Sequence, residues 1–182
     1  MRGLGRKGGV SSRGQGRYSG VTACVRAVVS RAMRAVIQRV TSASVTIGGE
    51  KVSGIGRGLV VLLGIEATDN AEDIEWLAGK VAGQRIFPDE AGPWNRSVAE
   101  VGGQVLIVSQ FTLFASTKKG TRPSWHRAAK PEVAAPLCAA FIEQLAVLLP
   151  GRVCAGRFGA AMSVALENDG PVTLWLDTRS RE

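Results

Sequence analysis

Three side chains that could take part in chemistry stand together where a very apolar segment ends. Ser109, Gln110 and Thr112 follow the run VLIV and flank Phe111. Hydroxyl and amide groups in such a place must be hydrogen-bonded if they are buried, or else they are exposed for a purpose. Two interpretations stay open: an edge strand whose polar side chains satisfy nearby backbone groups, or a functional site. In a functional site Thr112 is the obvious nucleophile, although no base stands beside it in the sequence.

A second cluster, Asn168-Asp169-Gly170-Pro171-Val172-Thr173, lies between two apolar alternating stretches. Asn, Asp, Gly and Pro are the residues that turns prefer, so the cluster predicts a turn between two strands. It gains a functional interest if the Gly170–Pro171 bond is cis. Only about 5–6% of X–Pro bonds are cis, so the residues alone do not establish this.

Metal and triad chemistry have few candidate residues. His126 is the only histidine, so a multi-histidine metal site or a Ser-His-Asp triad would depend wholly on it. Cys24, Cys138 and Cys154 are odd in number and have no metal-like spacing, which favours free thiols in a reducing compartment. We therefore expect no metal and no cofactor, and His126 is expected at the surface.

The formal net charge of +8 is unevenly distributed. Residues 1–32 contain seven Arg and Lys and no acidic residue, so the rest of the chain is nearly neutral. This Gly- and Ser-rich extension has too little apolar mass to offset its chain entropy, and we expect it to be disordered. It is interpreted as a transit peptide, a basic RNA-binding arm or the product of an upstream start codon, since Met33 opens the first periodic segment.

Residues 33–182 predict a single compact α/β domain with two main helices. The longest apolar run, Leu59 to Ile65, is too short to cross a bilayer, so no membrane span is expected. Helices are expected from Asp69, as the N-cap, to about Ala82, and from Pro131 to Leu149. Strands are expected at 35–40, 43–47, 51–55, 59–65, 85–87, 104–109, 161–167 and 172–176, with a loop at 89–103.

From Met33 to Asp177 the chain resembles the D-aminoacyl-tRNA deacylases. The stretches that carry the resemblance are MRAVIQRVTSASVTI, GLVVLLGI, RIFPDEAG, SQFTL, GTRPSWHRAA and GRFGAAMSVALENDGPVTLWLD. SQFTL and NDGPVT are weak signatures singly, but both occur here in the family's order. The basic extension lies outside the resemblance.

The resemblance implies a fold with mixed β-sheets in a barrel-like arrangement, and a homodimer with each active site near the subunit interface. It places Ser109, Gln110, Phe111 and Thr112 in the pocket for the terminal adenosine and its amino acid. It also implies that Gly170-Pro171 is cis and reaches into the partner's pocket. There the two carbonyl oxygens hold the substrate amino group. An L side chain would clash with them, so the L enantiomer is excluded sterically.

The activity implied is hydrolysis of D-aminoacyl-tRNA and mischarged glycyl-tRNA in the cytoplasm, for proofreading and D-amino acid detoxification, without a cofactor. Two mechanisms stay open. Thr112 could attack the ester, or the protein could position it while the RNA's 2′-hydroxyl assists and backbone N–H groups near Phe111 and Thr112 stabilise the oxyanion. A basic stretch is a candidate for binding tRNA phosphates; it comprises Lys118, Lys119, Arg122 and Arg127. Arg39 is a candidate either for binding the adenosine or for an ion pair across the sheet.

Three alternative functions remain. A related deacylase that edits an L-amino acid or glycine differs from SQFTL at its first and third residues, so Ser109 and Phe111 favour the D-specific branch. A noncatalytic RNA-binding module would explain the basic extension, but the folded part lacks a stripe of stacking aromatic residues. A metal hydrolase lacks ligands.

Overall fold

The computed structural model describes residues 32–181, and the predicted basic extension up to residue 31 lies outside them. Ala32 is buried, and its backbone N–H donates to Asp69 Oδ1 at 2.9 Å. The elements are β1 (Arg34–Ile47), β2 (Glu50–Ile55), β3 (Gly58–Gly64), α1 (Ala71–Gly83), β4 (Phe87–Asp89), β5 (Gly92–Arg96), β6 (Gln104–Ser109), a 3-10 turn (Phe111–Phe114), α2 (Pro131–Leu148), β7 (Val153–Ala155) and β8 (Ser163–Asp177).

Strand β1 organises the sheet. It continues through Thr41 and Ser42, where the sequence predicts a break, because its two halves find different partners: β3 pairs with the first half, β2 with the second, and β8 with both. All these pairings are antiparallel. A long strand shared in this way curves the sheet towards a nearly closed barrel.

The remaining pairings are parallel, between β3 and β6 and between β6 and β7. Strands β3 and β6 are buried along most of their length, as their continuous apolar runs predict. The two strands begin in very close contact: a Cβ at Gly58 would overlap the backbone carbonyl of Gln104. The strand order β2-β1-β3-β6-β7 therefore gives a mixed sheet, with β8 added on β1.

Helix α1 begins one residue later than predicted. Asn70, not Asp69, is the N-cap. Its side chain accepts from the N–H groups of Glu72 and Asp73, and the Asp73 carboxylate accepts in return from the N–H of Asn70. Asp69 faces inward instead and accepts from the N–H groups of Ala32 and Glu66. The two carboxylate oxygens thus join the segment before β1 to the loop before α1, a tertiary role that the local sequence pattern did not indicate.

Helix α2 is long and apolar enough, by length and composition, to cross a membrane. In the fold it packs against α1 and the sheet through Ala134, Cys138, Phe141 and Leu145, and its apolar composition serves this packing. Pro131 begins the helix and Pro136 is accommodated inside it. The main core lies between the two helices and one face of the sheet; a smaller apolar cluster, including Val40, fills the other face.

Four predictions fail at short or irregular elements. The strand predicted at 85–87 lies instead at Phe87–Asp89. The predicted loop at 89–103 contains β5, which pairs with β4 as a hairpin, and β7 was not predicted. The turn predicted at Asn168–Pro171 is a bulge within the single strand β8. Asn168 pairs with Val40 and Thr173 with Gln38, so four residues of β8 lie opposite Arg39 alone.

Candidate active site

The 3-10 turn that carries the SQFTL motif leaves the sheet directly from β6. Strand β6 ends at Ser109, and the N–H of Gln110 donates to the carbonyl of Leu63 on β3 at 2.7 Å, so the chain is still fixed to its neighbour when the turn starts. Gly64 leaves room for it: a Cβ there would lie 3.0 Å from Leu113 Cβ and 3.1 Å from Phe114 Cε2. The turn therefore sits against the end of the sheet.

Two guanidinium groups hold the other side of the turn. Arg34 lies over the buried Phe114 ring, 4.5 Å from its centroid, and Arg127 lies 5.5 Å from it. Arg34 also donates to the carbonyl of Leu113 at 2.8 Å and pairs with Asp177 at 2.9 Å. Arg127 pairs with Glu66 at 2.8 Å. This arrangement, with one arginine from β1 and one from the loop before α2, fixes the turn through its last two residues.

The turn has hydrogen-bonding groups in its side chains and in its backbone. The Gln110 side-chain amide donates to Thr112 Oγ1, and no carboxylate or imidazole contacts that hydroxyl among the described residues. No side chain caps the start of the turn. The N–H groups of Phe111 and Thr112 lie at that start, where the turn has no carbonyl to accept from them. Two unpaired N–H groups near each other can stabilise a developing oxyanion.

A cavity of about 560 Å3 opens beside the turn. This volume is in the range of small-molecule sites, about 300–1,000 Å3. Its walls are mainly apolar, and three partly exposed aromatic rings stand around it. The lining residues are Leu63, Ile65, Val108, Ser109, Gln110, Phe111, Trp125, Ala128, Ala129, Pro131, Ala134, Phe158, Gly159, Ala160, Met162 and Val164.

The aromatic rings are well placed to contact a planar ligand. Phe111, 56% exposed, meets Trp125 edge to face, with ring centroids 5.6 Å apart. Phe158 also lines the cavity and is 37% exposed. Exposed rings beside an apolar cavity suit a nucleobase, which has two apolar faces and a polar edge.

Three of the four predicted catalytic residues, Ser109, Gln110 and Phe111, line the cavity. Thr112 does not; its side chain is turned to Gln110. The wall formed by Phe158 and Met162 was missed as part of the site. Its signal in the sequence was the stretch GRFGAAMS, which belongs to the resemblance but has no polar residue that suggests chemistry.

Gly170 and Pro171 are exposed on the bulge of β8, and the peptide bond between them is cis, as the resemblance implies. Neither residue lines the cavity of its own protomer. Arg39, which is 8% exposed, fixes the bulge. Its Nε lies 2.9 Å from the Asp169 carboxylate and 3.2 Å from the Asp169 carbonyl, and Nη1 donates to the carbonyl of Ile86. Of the two roles considered for Arg39, the pair across the sheet is confirmed.

A smaller cavity of about 100 Å3 adjoins the first and shares Ser109 and Phe158 with it. Cys138 lines this space, and burial raises the pKa of its thiol. A thiol with a raised pKa stays protonated at neutral pH and behaves as a small apolar group. Cys138 is therefore part of the wall rather than a nucleophile.

The loop before α2 carries the predicted basic stretch. Lys118, Lys119 and Arg122 are exposed, and His126 is at the surface as expected, with Nδ1 3.3 Å from Ser124 Oγ. Arg127 differs from the other three, because its pair with Glu66 and its contact with Phe114 turn it inward. Its prediction as a phosphate ligand is replaced by a structural role at the 3-10 turn.

Comparison with known proteins gives a consistent result. The profile of the family described as D-Tyr-tRNA(Tyr) deacylase matches residues 36–177. The D-aminoacyl-tRNA deacylase of Opitutus terrae is 57% identical over 150 residues, which cover 82% of this chain and all of that protein. The protein of the same name from Akkermansia muciniphila is 58% identical with the same coverage.

Two solved structures are similar to this one. The c-Myc DNA Unwinding Element Binding Protein superposes with a TM-score of 0.75 at 46% identity, over 79% of this chain and 97% of that one. A probable eukaryotic D-amino acid tRNA deacylase superposes with a TM-score of 0.70 at 22% identity, over 80% and 99% of the two chains, and supports the fold alone. With the profile match and the identities above 50%, the chain belongs to the D-Tyr-tRNA(Tyr) deacylase family.

Proposed function

We propose that this protein hydrolyses the ester bond between a D-amino acid, or glycine, and the terminal adenosine of tRNA. Water adds across the ester, and the products are the free amino acid and tRNA with its ribose hydroxyl restored. The observation that carries this proposal is the cavity of about 560 Å3, whose lining includes residues of the SQFTL motif and three aromatic rings. Because the family is named for this reaction, we assign the cavity as the binding site for the aminoacyl-adenosine end of the tRNA.

Positioning, rather than attack by a protein nucleophile, is the mechanism we favour. An aminoacyl ester is activated, so it needs less assistance than an amide. The Thr112 hydroxyl accepts from the Gln110 amide and contacts no base among the described residues. The N–H groups of Phe111 and Thr112 would hold the oxyanion, and the 2′-hydroxyl of the RNA would assist the attack.

Rejection of L-amino acids is assigned to Gly170 and Pro171 of a partner subunit. The bulge that presents them is exposed and lies outside its own protomer's cavity, so it is free to enter another. The Arg39–Asp169 contact holds the bulge rigidly. The two backbone carbonyls would bind the substrate amino group and leave no space for an L side chain. Backbone groups discriminate without regard to the side chain's identity, so one site serves many D-amino acids.

The assembly proposed is a homodimer of two copies of this chain. Among the described residues β1 is the only strand that pairs with β8, so apart from an isolated bridge between Asp177 and Ser180 its outer edge is open. Trp175 on β8 is 52% exposed and stacks on Arg34, which also holds the 3-10 turn. A second copy seated on this face would cover the exposed ring and bring its own bulge near the cavity. We place the dimer in the cytoplasm, with proofreading and D-amino acid detoxification as its roles.

Deacylation of four substrates tests the proposal. With D-Tyr-tRNA, L-Tyr-tRNA, Gly-tRNA and L-Ala-tRNA, we expect rapid release of D-tyrosine and glycine and negligible release of L-tyrosine. Release of L-alanine in preference to D-tyrosine would assign the protein to the related editing branch, and efficient release of L-tyrosine would refute the chiral selection. Activity should survive exhaustive chelation, since the mechanism uses no metal.

Nucleic-acid binding without turnover is the second candidate. A relative 46% identical to this chain is named for binding a DNA element. Tight tRNA binding with no deacylation of any of the four substrates would support this function and reject the enzymatic one.

A further inference from the structure

The two segments that form most of the cavity wall carry charge of one sign. Residues 115–131 and 150–166 contain no acidic residue, whereas acidic residues outnumber basic ones in the rest of the described chain; Glu132 follows directly after the first segment. The basic residues of the two segments are Lys118, Lys119, Arg122, Arg127, Lys130, Arg152 and Arg157. Positive charge is thus concentrated around the cavity, although the domain as a whole is nearly neutral.

Five of these side chains are available to a ligand. Arg127 is engaged by Glu66 and Phe114, and Arg152 is half-buried. The other five are exposed and form no ion pair within residues 32–181. We name these five the basic rim: Lys118, Lys119, Arg122, Lys130 and Arg157.

The basic rim is carried by two segments that both supply residues to the cavity wall. Two hydrogen bonds between Ser116 and Ser124, at 2.7 and 3.0 Å, close the loop that carries the first three side chains, directly before the lining residue Trp125. Lys130 directly precedes the lining residue Pro131, and Arg157 directly precedes the lining residue Phe158.

A ligand anchored in an apolar cavity and continued by a polyanion would fit this pattern. The cavity accommodates a base and an amino acid, but the rest of a tRNA must leave it across the rim. Lys and Arg contacts to phosphates supply most of the sequence-independent affinity for nucleic acid and set its register. We propose that the basic rim binds the phosphates of the nucleotides that precede the terminal adenosine of tRNA, a role that rests on the function proposed above.

Two substrates that differ in their phosphates test this role. D-Tyr-tRNA has the polyanionic chain, whereas the D-tyrosyl ester of adenosine has the same reacting group and no phosphate. For Lys130→Gln/Arg157→Gln we expect the KM for D-Tyr-tRNA to rise about tenfold with kcat nearly unchanged, and the slope of log KM against log salt to fall by about 0.7 per lost contact. Hydrolysis of the adenosine ester should keep its wild-type rate. The triple variant Lys118→Gln/Lys119→Gln/Arg122→Gln should likewise raise the KM for D-Tyr-tRNA and lower the salt slope.

Lys51→Gln is the matched control. Combined with Lys80→Gln on α1 it removes two positive charges, as Lys130→Gln/Arg157→Gln does; neither residue lines the cavity, so the pair should leave the KM and the salt slope unchanged. The inference is overturned if the rim variants keep the wild-type salt slope, or if they lose hydrolysis of both substrates in proportion. Wild-type protein that hydrolyses neither substrate would refute the proposed function itself, and the basic rim with it.

Discussion

Thr112 and Gln110 form the one side-chain hydrogen bond within the SQFTL motif, and its direction matters for mechanism. The hydroxyl oxygen accepts a hydrogen bond from the amide N–H, and an amide is too weak a base to take the hydroxyl's proton. A nucleophilic hydroxyl needs the opposite arrangement, with an acceptor able to take its proton. At the scale of single residues, Thr112 is therefore a positioning group for Gln110 and for the backbone of the turn.

Thr112→Ala should reduce the single-turnover rate of D-Tyr-tRNA deacylation by less than about tenfold, because the backbone N–H groups remain in place. Loss of a protein nucleophile would instead cost several orders of magnitude. Thr112→Ser keeps the hydroxyl and serves as the control. An inactive alanine variant beside an active serine variant would establish Thr112 as the nucleophile.

Asp69 gives the fold a pH dependence of unusual sign. Burial, with Asp73 and Glu66 nearby, raises its pKa from 3.8 to about 6, against the opposing effect of two backbone N–H donors. Between these values the folded state binds more protons than the unfolded state. The contribution of Asp69 to the free energy of unfolding therefore falls as pH rises from 3.8 to about 6, and is constant above that.

We predict that Asp69→Asn removes this contribution. Urea unfolding of wild-type protein and variant across the same pH series measures it as the difference between the two curves. That difference should change between pH 4 and about 6 and be level at higher pH. A difference that is level throughout would mean that Asp69 titrates at its ordinary pKa.

At the scale of elements, the 3-10 turn is held from two directions. Gly64 lets it approach β3, and Arg34 and Arg127 enclose Phe114. A turn of four residues has little stability of its own, so its geometry depends on these tertiary contacts. Changes in the contacts should therefore appear in catalysis as well as in stability.

Gly64→Ala should displace the turn, because the new Cβ would lie 3.0 Å from Leu113 Cβ and 3.2 Å from the carbonyl of Gln110. We expect a loss of about 1–3 kcal/mol of unfolding free energy, and a fall in kcat larger than any rise in KM. Gly79→Ala is the control: its Cβ meets nothing within 4 Å in α1, so alanine should stabilise the helix by up to about 1 kcal/mol with unchanged kinetics. Equal kinetics for the two variants would show that the turn does not depend on Gly64.

Arg34→Gln should lower kcat more than it changes KM. The variant loses the bond to Leu113 and leaves Asp177, which is buried, without its partner. Breaking a fully buried ion pair costs about 3–5 kcal/mol, which is an upper bound for this partly buried pair. Arg181→Gln is the matched control, since Arg181 also pairs with a carboxylate and stacks on a ring, Trp76, but lies at the surface. An equal fall of kcat in both variants would show that Arg34 has no specific role in holding the 3-10 turn.

At the scale of the whole molecule, the proposed site is complete only in the dimer. The bulge with Gly170 and Pro171 lies outside its own cavity, and the exposed Trp175 marks the face where a second copy would sit. Discrimination between enantiomers should then be lost when the subunits separate, even if each monomer stays folded.

Trp175→Glu is predicted to produce monomers, because it places a charge on the apolar face of the proposed interface. Sedimentation velocity would measure the mass, circular dichroism the fold, and deacylation of D-Tyr-tRNA and L-Tyr-tRNA the selectivity. We expect folded monomers with weak activity and little preference between the two substrates. A folded monomer that still rejects L-Tyr-tRNA would refute the cross-subunit arrangement.

The sequence by itself determined the two helices, the two buried strands β3 and β6, and the two motif segments. These features are local: helical and strand periodicity, continuous apolar runs and turn-forming residues act over a few neighbours along the chain. The surface position of His126 also followed from its polar surroundings. The segments that form one wall of the cavity, from β6 through the SQFTL motif, were found because polar residues after an apolar strand are unusual.

Only the tertiary structure decided how those segments work. Asn168–Pro171 has the composition of a turn, yet pairing of β8 with β1 on both sides makes it a bulge in one strand. Phe158 and Met162 carry no chemical signal, and they belong to the site because the segment between β7 and β8 lines the same cavity as the SQFTL motif. Asp69 and Arg127, predicted as a cap and a phosphate ligand, are drawn inward by partners far along the chain. Contacts of this kind depend on where distant segments meet, which local propensities do not encode.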